Sequence, residues 1–117
     1  MVGGYPLASA PRAGDRVRVT GYVDGVQTAV SCVATVYLTG GYPSFDCAGF
    51  AGGTSGGPWI SAGKQTLTAV IGGLHQGGCS PDTSYSSALH DTTADVLARA
   101  AANRTADVLP SPNSDGC

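Results

Sequence analysis

Charged side chains make up only 12% of this 117-residue chain, and its net charge of −2 leaves no basic surplus. Nucleic acid and anionic membrane surfaces are attracted by clustered Lys and Arg, so neither is expected as a partner. No apolar run approaches the ~20 residues a membrane-spanning helix needs. Residues Met1 to Tyr5 have neither the basic start nor the apolar stretch of a signal peptide. There is no Cys-x-x-Cys, no His-x-x-x-His and no carboxylate cluster, so no metal site is expected. The glycine-rich run lacks the Gly-Lys-Ser/Thr ending of a phosphate loop, and no cofactor is expected either. Histidine is equally scarce: His75 and His90 are the only two, and both follow residue 55.

What is abundant is glycine, 18 residues of it. With so little charge, this suits one β-rich domain with many tight turns rather than a helical bundle. Residues 1–14, rich in Gly, Pro and Ala, read as a connector. Arg16-Val17-Arg18-Val19-Thr20 alternates, with Val17 and Val19 on one face, and predicts a half-buried strand. Asp24-Gly25 marks a turn. Thr28 to Leu38, dense in β-branched residues, predicts a second strand, and Gly40 to Pro43 a turn leading into Ser44–Cys47. Further strands are expected at Trp59–Ser61, Thr66–Leu74 and Tyr85–Leu89. A helix capped by Asp91 or Thr92 is expected over about 93–102, with Val96 and Leu97 on its packing side. Residues 103–117 read as a disordered tail.

The densest signal is Gly52-Gly53-Thr54-Ser55-Gly56-Gly57-Pro58. A serine hydroxyl becomes a useful nucleophile beside a base and a pair of N–H donors for the developing oxyanion. Glycines before it let the backbone present those donors, and glycines after it leave room for a carbonyl. This run, with Cys47 to Ala51 before it and Val70 to Cys79 and Ser84 to Leu89 after it, resembles the trypsin-like serine peptidases, secreted bacterial members above all. The resemblance spans roughly residues 16–102. It implies an all-β fold: the antiparallel six-stranded C-terminal barrel of a two-barrel peptidase, followed by a helix, over residues 15–102.

The resemblance implies Ser55 as nucleophile and the N–H groups of Gly53 and Ser55 as the oxyanion hole. It implies a polypeptide substrate that lies along Gly73, Leu74, His75, Gln76 and Gly77 as an added strand. His75 stands in a context similar to that of glutamyl endopeptidases. There it would hold a substrate carboxylate with help from Ser84 or Ser87. The other reading of His75 is a partly exposed strand histidine. Asp46 reads as a strand-end residue, and Thr54 cannot form the ion pair that an aspartate before the serine makes in digestive enzymes.

The family's catalytic histidine and aspartate precede the serine, whereas only Asp15, Asp24 and Asp46 are acidic before Ser55. The expectation is therefore a C-terminal half whose N-terminal barrel is missing, inactive alone, from an intact protein that is secreted. Four cysteines read as disulfides in that setting. Cys32 and Cys47 flank a hairpin that would pair them; the resemblance offers Cys47 with Cys79 instead, and Cys117 reads as free. Two other functions compete. One is a non-catalytic peptide-binding module on the same scaffold. The other is an α/β-hydrolase esterase, since Gly53-Thr54-Ser55-Gly56-Gly57 also satisfies a nucleophile elbow with Asp82 and His90 downstream. An elbow needs a helix starting at the serine, which Gly56-Gly57-Pro58 opposes.

Overall fold

A computed structural model describes residues 3–89, 91–106 and 108. Seven strands and one α-helix follow in order: β1 Arg16–Tyr22, β2 Ala29–Thr35, β3 Tyr37–Thr39, β4 Tyr42–Asp46, β5 Pro58–Ser61, β6 Leu67–Val70, β7 Thr83–Tyr85 and α1 Asp91–Ala101. They form two antiparallel sheets, one in the order β2-β1-β5-β6 and the other β3-β4-β7. The molecule is thus mostly β with a C-terminal helix, as the glycine-rich, charge-poor composition suggests.

β1 alternates as its sequence demands, with Val17 and Val19 buried between exposed Arg16 and Arg18. It lies between β2, with Val19 opposite Cys32, and β5, with Val19 opposite Trp59. The two sheets meet through their aromatic residues. Phe45 from β4 stands edge-on to Trp59 from β5 at 4.8 Å and to Phe50 at 5.4 Å. Val17, Val19, Ala69 and Ile71 close the same core.

The expected long second strand is split. Val36, itself buried, ends the pairing with β1 and passes the chain to the other sheet, so that β2 and β3 belong to different layers. Its amide donates to Asp15 O and its carbonyl accepts from Gly14 N, both at 2.8 Å. The expected strand over Thr66–Leu74 also stops early, at Val70. Beyond it the chain curls into a 3₁₀ turn, Leu74–Gly77, with His75 and Gln76 in left-handed backbone conformations (φ 48° and 55°). The last strand is Thr83–Tyr85 rather than Tyr85–Leu89.

These two breaks explain why strand pairing does not close into a six-stranded barrel. β6 and β7 never pair; single bonds, Gly72 N to Tyr85 O and Val70 N to Ser86 Oγ, join the sheets there instead. Residues 6–8 are tied down. Leu7 bridges Leu67 in parallel, and Ala8 N donates to Leu67 O at 2.8 Å.

α1 ends in a Schellman motif: Asn103 adopts φ 51°, Asn103 N donates to Ala100 O, and Arg104 N to Arg99 O. Its packing side is not as expected, because Val96 and Leu97 are 50% and 58% exposed. They are adjacent in sequence and so ~100° apart around the helix, too narrow a feature to seat it on a sheet. The helix starts at Asp91, two residues before the expected start; His90 lies outside the described residues, as does Cys117.

Candidate active-site loop and cleft

The loop between β4 and β5 carries Ser55, and its outer half is anchored at several points. Cys47 N donates to Asp82 O and Phe50 N to Pro81 O, each at 2.9 Å. Asp24 N donates to Gly52 O at 2.8 Å, so the Asp24-Gly25 turn between β1 and β2 buttresses the glycine run. Thr54 is 4% exposed and donates its hydroxyl to Ala51 O at 2.9 Å. The residue that cannot make the digestive enzymes' ion pair is therefore turned inward, satisfied within its own loop. That inward turn leaves its neighbours Gly53 and Ser55 facing solvent.

Amide commitments alternate along this turn. Thr54 N donates to Ala51 O, and Gly56 N to Ile71 O at 2.8 Å. The amides of Gly53 and Ser55 make no hydrogen bond among the described residues, nor does the Ser55 hydroxyl. Two uncommitted donors thus flank Thr54 beside an exposed hydroxyl. Two glycines are structurally required here. Gly53 has φ 96°, and a Cβ there would come within 2.5 Å of Asp24 N. A Cβ at Gly57 would lie 2.8 Å from Thr54 O and 3.1 Å from Thr20 O.

Alongside Ser55 runs a cleft of about 220 Å³. Phe50 to Gly52 and Thr54 form one wall, Gln76 to Pro81 the other, and Ile71 contributes between them. No charged side chain lines it among the described residues. Of the residues expected to bind substrate, Gln76 and Gly77 line this cleft with Ser55. Gly73, Leu74, His75, Ser84 and Ser87 do not. Gly73 abuts Ser87, whose Oγ lies 2.5 Å from where a Gly73 Cβ would stand. Ser84 is 2% exposed and sits opposite Phe45. The His75 ring stands edge-on to Tyr85, with centroids 5.9 Å apart. No strand is available over Gly73–Gly77 for a substrate to extend, because this is the 3₁₀ turn.

Compared with known proteins, the chain matches no family model and no curated protein sequence. The loop's chemistry therefore rests on its own residues.

Several residues that shape the site carry only weak sequence signals. Ser86 is fully buried; its hydroxyl accepts from Val70 N at 3.2 Å and donates to Ser87 O at 2.8 Å. The twofold alternation of a strand puts Ser86 on the face of Ser84 and Ser87 on the opposite face, a usable signal. Asp24 reads from sequence only as a turn residue. Asp46 does end a strand, where its Oδ1 accepts from Tyr37 Oη at 2.6 Å and Thr83 Oγ1 at 2.9 Å.

The elbow geometry is absent. β5 begins three residues after Ser55, and no helix starts at the serine. Cys32 and Cys47 do form a disulfide, though not across a hairpin. Cys32 is on β2 and Cys47 follows β4, so the bond links the two sheets. The alternative pairing of Cys47 with Cys79 is thereby excluded, and Cys79 is itself disulfide-bonded. Among the described residues no group of His, Cys, Asp or Glu is arranged to hold a metal.

Proposed function

We propose that this chain is the nucleophile-bearing half of a secreted, trypsin-like serine endopeptidase, its two sheets corresponding to the open outline of a six-stranded barrel. The observation that carries this reading is the turn at Ser55: an exposed hydroxyl, two uncommitted amides at Gly53 and Ser55, and an uncharged cleft beside them. In such a site Ser55 Oγ attacks a peptide carbonyl, the carbonyl oxygen becomes an oxyanion held by the two N–H groups, and collapse expels the amine to leave an acyl-enzyme. Water then releases the acid.

The proton on Ser55 needs an acceptor. His75 lies against Tyr85 and outside the cleft, so it is not placed to take that proton. A companion barrel that supplies the base and its carboxylate is the partner we propose. The exposed Val33, Leu38, Val96 and Leu97 offer apolar surface for such a contact. The cleft's neutral walls favour an uncharged substrate side chain over the acidic one that His75 suggests from sequence.

Prolonged exposure to a fluorophosphonate probe, read by peptide mass spectrometry, tests the proposal. Labelling should be confined to Ser55, lost in Ser55→Ala, and ~10³-fold or more slower than in an enzyme with its full triad. Labelling spread over several serines would defeat the nucleophile assignment and favour a peptide-binding module. A rate like that of a complete peptidase would defeat the claim that the base lies elsewhere.

A further inference from the structure

Three of the six Lys and Arg residues converge on a second cavity, which shares no wall residue with the Ser55 cleft. Arg12 follows the N-terminal strap, residues 6–8 held against Leu67, Arg16 opens β1, and Lys64 stands in the turn between β5 and β6. Together they line a hollow of about 550 Å³. Asp15 is the only acid in its wall, and its Oδ2 already accepts from Arg12 N at 2.8 Å. Among the described residues, none of the three cationic side chains makes an ion pair or a hydrogen bond.

The frame that carries these charges is well anchored. Ala62 N donates to Arg16 O at 3.0 Å, and Ser61 N to Thr66 O at 2.9 Å. In the same wall Thr66 Oγ1 is shielded from solvent without a hydrogen-bond partner. Like charges gathered around one concavity repel one another, and a concave wall focuses their field on whatever enters. A chain with so few cations has here gathered three around a wall that holds a single carboxylate, an excess of positive charge. Two are guanidinium forks, which match the paired oxygens of a carboxylate or phosphate.

We propose that this cavity binds a small multivalent oxyanion. The site is independent of the Ser55 chemistry. Thermal unfolding of the full chain in inorganic phosphate, in citrate, and in sodium chloride of matched ionic strength provides the test, because a ligand that binds the folded state raises the midpoint. The midpoint should rise saturably with phosphate or citrate beyond the chloride control. A stronger response to phosphate assigns a phosphoryl ligand, and a stronger response to citrate a carboxylate. The half-saturating concentration should increase at least tenfold in R16Q/K64Q and stay unchanged in R104Q, whose residue lies outside the cavity wall. K64Q alone, at a turn, should raise it at least threefold and guards against misfolding of the double variant. A rise no larger than the chloride control, or one that persists unchanged in R16Q/K64Q or K64Q, would overturn the proposal.

Discussion

At Gly53 the backbone is held at φ 96° against Asp24, so a methyl group there meets both an unfavourable conformation and a backbone nitrogen 2.5 Å away. Gly53→Ala should cost roughly 1–3 kcal/mol in urea unfolding. It should also slow probe labelling of Ser55, because relief of the clash displaces one of the two free amides. Tyr37 gives a second residue-scale expectation. Its hydrogen bond to Asp46, then desolvation, then the Asp46 charge, push its pKa from 10.0 up to about 12. The folded protein therefore holds a proton that the unfolded chain has released between these values, and stability falls as pH rises through that window. The contribution is complete below pH 10 and lost by about 12. Tyr37→Phe should remove that part of the alkaline decline, measured as the difference in unfolding midpoint between the two proteins across the window. The local chemistry of both residues is partly visible in the sequence. A glycine before a glycine-flanked serine signals a backbone need, whereas nothing local tells that Tyr37 will meet Asp46 across β3 and β4.

At the scale of elements, patterns with a period of two survive best. β1 is legible because Val17 and Val19 alternate with charged residues, and β5 because Trp59-Ile60-Ser61 follows a loop-ending proline. Apolar runs are less informative. Thr66 to Leu74 is mostly apolar, yet only Leu67–Val70 pairs, since Gly72 and Gly73 let the chain turn away and His75 and Gln76 complete a left-handed curl. The split at Val36 is similar: the run from Ala29 to Thr39 is rich in strand formers on both sides of it, and only the position of the second sheet decides where one strand ends. The helix is legible through its alanines and its place after a turn, but not its orientation. Val96 and Leu97 are apolar without being buried, because burial requires a surface to receive them.

For the whole molecule, the decisive link is the Cys32–Cys47 disulfide. It closes a 15-residue separation and ties the sheet of β2 to the loop that carries Ser55 after β4. Replacing both cysteines by serine, with Cys79 untouched, should lower the unfolding free energy by about 2–4 kcal/mol. The loss should also raise hydrogen exchange in the loop of residues 47–57, since Cys47 is its first fixed point. A variant with unchanged stability and exchange would show that the shared apolar core and the hydrogen bonds between the sheets suffice without the bridge. The spread of Arg12, Arg16 and Lys64 through the sequence likewise hides their convergence, which arises only when the N-terminal strap lies beside β6.

The order of residues was enough to mark a glycine-framed serine, a β-rich domain, the alternating strand β1 and the pairing of Cys32 with Cys47, because each depends on side-chain type or on neighbours close in the chain. Tertiary structure alone decided that the strands divide into two sheets, that Ser84 is buried while Ser55 faces solvent, that His75 leans on Tyr85 and that the cleft is uncharged. Those outcomes turn on contacts between segments distant in the chain, where many small packing and hydrogen-bonding energies compete and no local pattern records the winner.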